Sequence, residues 1–414
     1  MFEPFGLFLL IFSLGVLVSL WINDNIYRWS YTSAPISSWQ LRASGLGRLS
    51  IWERVPVVGW LLRSRRTDDV KEFGRWFWIR PALIELLVPW CYVVLFWLLR
   101  RGHCMPEGVL IPEALWPQYV AYSILLFLLI IATFIDFDER MIPDCITIPG
   151  TLIGLIGSTF FYGWNWLERV QLIEPPFTQV TRTLHANSPE SAPILWQHGS
   201  FLSLVIVLVG WTIWCLSLVD FPWITRRGWR KAFVYAWVRF WQAINLRSVA
   251  TMMFSGWVLL GIGYFVLSDL QWDRLLSAVV GMSLGGFLVW AFRMVASEVL
   301  GMEALGFGDV TLMAMVGAFL GWQVVWLAFF LAPLFGIAIV IVRLLFTGDT
   351  STPFGPYLSA ATIYLMLDWR RVWEVTREWM FPATFAPWIL IVLLVILGAL
   401  LWLIHRVERL IGLR

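Results

Sequence analysis

Gln118–Asp144 reads QYVAYSILLFLLIIATFIDFDERMIPD, an apolar run that ends directly in acid. A membrane-spanning helix needs roughly 20 consecutive, mainly apolar residues. The stretch therefore predicts a span over 118–135, with Asp136 at its edge and the next span, 146–163, starting after Pro143 and Asp144. An ionisable residue at a span is costly to keep and is a functional hypothesis in its own right. The bland reading is a helix that ends in solvated charges, with Pro143 and Asp144 forming the turn.

The rest of the chain fits the bilayer reading. Of 414 residues, 59% are hydrophobic and 14% charged, whereas soluble domains carry about 25% charged residues. Further spans are expected at 5–22, 81–99, 200–219, 252–268, 276–297, 309–321, 323–346, 355–367 and 386–404, an all-α polytopic bundle of about 9–11 spans. The alternating pattern of a membrane β-barrel is absent. The first span follows an acidic rather than a basic start and is read as uncleaved. The two short spans, 309–321 and 355–367, begin beside Gly/Pro motifs and are read as partial or broken helices packed inside protein. Segment 164–199 reads as an external loop. Gly281-xxx-Gly285 and Gly317-xxx-Gly321 are read as helix-packing devices.

Basic loops stay in the cytoplasm. Residues 24–80 hold ten Lys/Arg against five acids. The 220–251 loop and the tail with Arg406, Arg409 and Arg414 are also basic, which places all three inside. The net charge of +3 does not point to nucleic acid. The four cysteines and four histidines show no metal-ligand spacing, so no metal site is expected.

A second acid, Asp309, follows Gly306-Phe307-Gly308 and opens another apolar segment. Its bland reading is an N-cap for the following helix. Four predicted spans separate Asp136 from Asp309, and an even number returns the chain to the same face. Two adjacent carboxylates cannot easily both ionise, so one holds a proton while the other acts as base. Such a pair can activate water against a peptide carbonyl and protonate the leaving amine. The pair titrates as a unit, so neither role is assigned to one residue. Gly306 and Gly308 would allow close approach of an extended substrate.

Taken together, FIDFDERMIPD and the downstream EALGFGDVTLMAMVGAFLGW resemble the type IV prepilin peptidases, polytopic Gly-x-Gly-Asp aspartyl proteases. The resemblance implies catalysis by Asp136 and Asp309. It also marks Asp138, Pro143, Asp144, Glu303, Gly306 and Gly308 as supporting positions, and Phe354-Gly355-Pro356 as a further family tripeptide. It covers roughly 118–165 and 275–367. It implies cleavage of a basic leader from prepilin-like or pseudopilin-like membrane proteins in the inner (plasma) membrane, on the cytoplasmic side and without metal or cofactor.

Some members carry an N-terminal part that methylates the new terminus with S-adenosylmethionine. Asn23, Arg28, Arg80 and Glu85, with Val55-Pro56-Val57-Val58-Gly59-Trp60, resemble a remnant of it. The two Cys-x-x-Cys pairs usual there are absent, because 24–80 contains no cysteine. The expected organisation is a methyltransferase-like 1–117, a peptidase core over 118–367 with an insertion at 164–251, and a span with a basic tail over 368–414. The competing classes are a proton-coupled transporter, for which acids spread through several spans would be expected, and an inactive assembly factor.

Overall fold

The computed structural model describes residues 3–31, 36–39, 47–105, 115–161, 163–164, 167–174, 178–185, 188–191, 200–218, 234, 246–300, 305–347 and 353–380. The expected span at 386–404, the basic tail and nearly all of the 220–251 loop lie outside these. In chain order the elements are α1 (Glu3–Trp29), a 3₁₀ turn (Trp52–Arg54), α2 (Val58–Arg63), α3 (Thr67–Phe73), α4 (Ile79–Arg100), α5 (Leu115–Glu139) and α6 (Asp144–Phe160). Strands β1 (Leu167–Glu174), β2 (Thr178–His185) and β3 (Ser188–Ser191) follow. The chain continues with α7 (Phe201–Ser217), α8 (Leu246–Val266), α9 (Asp269–Leu300), α10 (Phe307–Thr347), α11 (Gly355–Leu367) and α12 (Trp369–Met380).

Among the described residues, α1, α4, α5, α8, α9 and α10 are long and apolar enough to cross a membrane, and α6 and α7 are shorter apolar helices. The protein is a multi-pass membrane protein built as a helical bundle. Exposed apolar side chains on α1 (Phe5, Leu9, Leu17) and α8 (Val258, Leu259, Phe265) form the faces that would meet lipid. The segment read as a loop instead contains a small antiparallel sheet of order β1-β2-β3, with Leu167 opposite His185 and Glu174 opposite Thr178.

The first limb of α10 is the centre of the bundle. Val310, Leu312, Met313, Ala314, Met315, Val316, Ala318 and Phe319 are all buried, as expected of a helix that is apolar on every side. The break expected near 321 is present, because Gly321 has φ 80° and ψ 177°, a conformation that side chains rarely adopt. The Met313 carbonyl and the Val325 side chain both press on Gly285 of α9. Residues on either side of Gly321 thus share one level, and the chain doubles back there. α10 is a helical hairpin rather than one long rod, with its first limb buried and Leu334, Ile337 and Ile341 of the second exposed.

Glycines permit this packing. A β-carbon at Gly317 would overlap the Gly281 carbonyl, and one at Gly281 would overlap the Gly317 carbonyl. The two helix backbones therefore touch, as small residues allow in membranes. Serine and threonine complete the contacts: Ser158 Oγ donates to the Ala318 carbonyl at 3.1 Å, and Trp272 Nε1 donates to Ser203 Oγ at 3.0 Å.

One end of the bundle collects the acid motifs. Tyr31 N–H, just past α1, donates to Glu139 at 2.9 Å, and Arg80 at the start of α4 reaches Asp138. At the other end, Arg370 N–H donates to the His103 carbonyl at 2.9 Å. Overpacking a tight core costs about 1–3 kcal/mol, and backbone atoms cannot rotate away from an added methyl. Gly317→Ala is accordingly expected to lower the melting temperature of the detergent-solubilised protein, whereas an alanine at Gly261, where a β-carbon meets nothing, should leave it unchanged.

Candidate active site

Helical periodicity separates the two acids of the first motif. Tyr122, Leu125, Leu129 and Ala132 form the buried stripe of α5, and Asp136 continues it, only 4% exposed. Asp138 lies on the opposite face and is exposed. Both sit within the last turn of α5, which runs to Glu139 and not only to 135. The helix stops at Arg140, whose φ of 55° is a left-handed conformation costing roughly 1–2 kcal/mol without glycine. Its N–H still donates to the Asp136 carbonyl at 2.9 Å. Extended Pro143 then starts α6, with Asp144 exposed in its first turn, where a carboxylate complements the helix dipole.

Asp309 is not an N-cap. It is the third residue of α10, its N–H directed at the Gly306 carbonyl at 3.3 Å, and it is 5% exposed. Gly308 explains how the two motifs meet: a β-carbon there would lie 2.7 Å from Ile142 Cβ and 3.0 Å from Ile142 N. The close approach that this glycine permits is to the protein's own chain. Gly306 is exposed, and its β-carbon would make only ordinary contact with Asp309 Oδ2 at 3.6 Å.

The third motif joins them. A β-carbon on Gly355 would fall 2.5 Å from Asp136 Oδ2 and 2.9 Å from Ile142 Cδ1, and the Gly355 backbone amide is directed at the Asp136 carboxylate. Asp136 Oδ2 nevertheless completes no hydrogen bond among the described residues. Asp309 interacts electrostatically with Asp136 and with Arg293, whose guanidinium lies 5.7 Å from the Phe307 ring. Asp136, Asp309, Gly308 and Gly355 thus gather around Ile142. Glu303 lies outside the described residues. Sequence reading passed over Ile142 and Arg293. Ile142 stood inside the quoted motif but carried no chemistry, and Arg293 had no local signal.

The suspected methyltransferase remnant divides. Asn23 Nδ2 donates to Glu85 Oε1 at 2.9 Å and to the Pro81 carbonyl at 3.0 Å. Trp60 Nε1 donates to the same Glu85 oxygen at 2.8 Å, and Val57 N–H donates to Oε2 at 2.7 Å. Val57 has φ 60° and ψ −56°, and Val58 N–H donates to the Pro56 carbonyl at 2.6 Å, which is a γ-turn of the rare, strained kind. Glu85 over-determines that strained turn. Both of its oxygens are engaged and the residue is buried. Asn23 Oδ1, by contrast, is buried without a hydrogen-bond partner among the described residues. Arg28 is exposed at the end of α1, apart from the cluster, and Arg80 turns to Asp138 instead.

Beneath the turn, Arg63 Nε donates to Asp69 Oδ2 at 2.8 Å with both side chains fully buried. The Arg63 guanidinium also lies 4.6 Å from the Trp60 ring. Among the described residues no group of three or more His, Cys, Asp or Glu is placed to hold a metal ion.

Fold and site define a multi-pass membrane protein in which two acid motifs meet at one end of a helical bundle. A model described as "Type IV leader peptidase family" matches residues 240–341. Leader peptidase HopD of Escherichia coli is 36% identical over 151 residues, which cover 36% of this chain and 84% of that protein. The chain belongs to the type IV leader peptidase family. A prepilin leader peptidase/N-methyltransferase of Pseudomonas putida is 29% identical over 175 residues, 41% of this chain and 52% of that protein. Its counterpart in Pseudomonas aeruginosa is 28% identical over 188 residues, with coverages of 45% and 53%. The chain thus spans about half the length of these two relatives. No solved structure matches the chain.

Removing one partner of a buried ion pair costs about 3–5 kcal/mol, because the other charge stays buried. Asp69→Ala is therefore expected to lower the melting temperature more than the exposed substitution Asp68→Ala, measured by thermal unfolding in detergent.

Proposed function

We propose that the protein is an aspartic endopeptidase that removes the basic leader of type IV prepilin-like or pseudopilin-like precursors. The observation that carries this reading is the placement of Asp136 and Asp309, both buried and in electrostatic contact, around Ile142 at one end of the bundle. Of two adjacent carboxylates, one keeps a proton. The ionised member takes a proton from water as it attacks the scissile carbonyl, the protonated member polarises that carbonyl, and the pair delivers a proton to the leaving amine as the C–N bond breaks. The proton bookkeeping belongs to the pair. Gly355, packed on Asp136, holds that carboxylate in place.

The reaction is assigned to the cytoplasmic face of the inner membrane. Two arguments support this: the basic 24–80 segment is of the kind retained inside, and its Arg80 meets α5 at the end where Asp136 lies. The substrate is a membrane protein whose apolar helix rests in the bilayer beside the enzyme, with its leader reaching the acid-lined end. The core unit is 118–367, the region that holds all three converging motifs.

Co-expression with a precursor carrying a Lys/Arg-rich leader, a glycine and an apolar helix should yield a shortened product. Asp136→Ala and Asp309→Ala should each lower cleavage at least about 10²-fold. Gly355→Ala, which drives a methyl group into the Asp136 carboxylate, should also lower it. Full processing in either aspartate variant would overturn the two-carboxylate mechanism.

Because both Glu85 oxygens are engaged, by Asn23, Trp60 and Val57 of the strained turn, the mature product is expected to keep an unmethylated N-terminus. Mass spectrometry of the cleaved precursor reads this directly, and an N-methylated product would assign the second reaction to this chain.

A further inference from the structure

The Arg80–Asp138 ion pair has no part in the chemistry above, although Asp138 follows Asp136 by only two positions. Arg80 Nη1 lies 2.6 and 2.7 Å from the two carboxylate oxygens of Asp138. The same guanidinium is 5.2 Å from the Tyr27 ring on α1 and 5.7 Å from the Phe134 ring on α5. One cation thus ties together three helices. The next residue, Glu139, accepts a hydrogen bond from Tyr31 N–H at 2.9 Å. Two consecutive side chains in the last turn of α5 are held by the N-terminal region, immediately before Arg140 ends the helix. The loop beyond it carries Ile142, on which Gly308 and Gly355 both pack.

We infer that Arg80 is a positioning residue for the peptidase reaction: through Asp138 it fixes the end of α5, and so sets where Asp136 and Ile142 stand relative to Asp309. The inference rests on the peptidase reading proposed above. It gives the two acids of the first motif separate tasks, Asp136 facing the bundle and Asp138 facing the N-terminal region. It also gives Arg80 work in the cleavage step that does not depend on methyl transfer.

Magnitudes separate this role from a purely structural one. The Arg80 and Asp138 side chains are 31% and 44% exposed, and ion pairs that open contribute little to stability. A displacement of about 1 Å in a reacting group, by contrast, can cost about 10²-fold in rate. Loss of the clamp should slow turnover without unfolding the protein. Lysine carries the charge but lacks the planar fork and stacks poorly on aromatic rings, so Arg80→Lys should fall between wild type and Arg80→Ala.

The test uses the full chain in detergent micelles and a synthetic peptide with a basic leader, a glycine and an apolar helix. Arg80→Ala and Asp138→Ala are each expected to lower kcat by about tenfold or more, with KM within about twofold and an unchanged melting temperature. The double variant should be no slower than the slower single, because both substitutions break one interaction. Hydrogen exchange of the amides over 137–142 should quicken in Arg80→Ala. Wild-type kcat and unchanged exchange in Arg80→Ala, or fully additive losses in the double variant, would overturn the inference. If the wild-type protein does not cut the peptide, the peptidase reading fails by itself. Exchange over 137–142 then still decides whether Arg80 holds the end of α5.

Discussion

Everything at the acid end of this bundle depends on one contact, the backbone of Gly308 lying against Ile142. No side chain fits between them, so the start of α10 is pressed onto the loop that leaves α5. That contact brings two motifs far apart in sequence to one place, and Gly355 adds a third by packing on both Ile142 and Asp136. Burying carboxylates is costly, and the cost is offset here by tight packing of the apolar helices behind them rather than by ion pairing at Asp136. The hairpin of α10 serves the same end: by doubling back at Gly321 it returns the chain toward the acid end, where α11 begins with Gly355.

The N-terminal region is coupled to this arrangement through the core as well as at the surface: Ile22, Ile26, Tyr92, Leu95 and Phe96 belong to one buried apolar cluster with Leu125, Leu129 and Phe319. Its own interior is organised by the Arg63–Asp69 pair and by Glu85, which gathers Asn23, Trp60 and the strained Val57 turn. Its polar outward connections include Arg80 to Asp138, Tyr31 to Glu139 and the Tyr92 hydroxyl to the Ser123 carbonyl.

Hydropathy made the bundle legible, because apolar runs of spanning length leave few alternatives, and the glycine at the break in α10 was legible from the shortness of 309–321. The reversal at Gly321 was not, since it depends on Met313 and Val325 sharing the level of Gly285. The acid of the second motif departs from its bland reading in local detail: Asp309 stands inside the first turn of α10 instead of capping it. The division of labour between Asp136 and Asp138 follows from helical phase and could have been read by extending the stripe of Tyr122, Leu125, Leu129 and Ala132 by one more turn. The partner of Arg80 had no such signal. An arginine at the start of one helix and an aspartate at the end of another carry no mark of meeting until tertiary packing brings them together. The sheet in 164–199 lacked the strict alternation that announces a strand.

The position of the charged groups along the helix axes bears on what kind of membrane protein this is. A proton or ion relay needs ionisable groups at intervals through the apolar layer. Here several hydroxyls in the middles of the described helices bond to their own helix: Thr151 to the Thr147 carbonyl, Ser283 to Val279 and Thr362 to Leu358. The acids at the motif end stand at one end of the bundle, with the apolar helices packed behind them. A carboxylate pair gathered at one end of the bundle fits the proposed cleavage of a membrane substrate better than a relay that carries charge across the apolar layer.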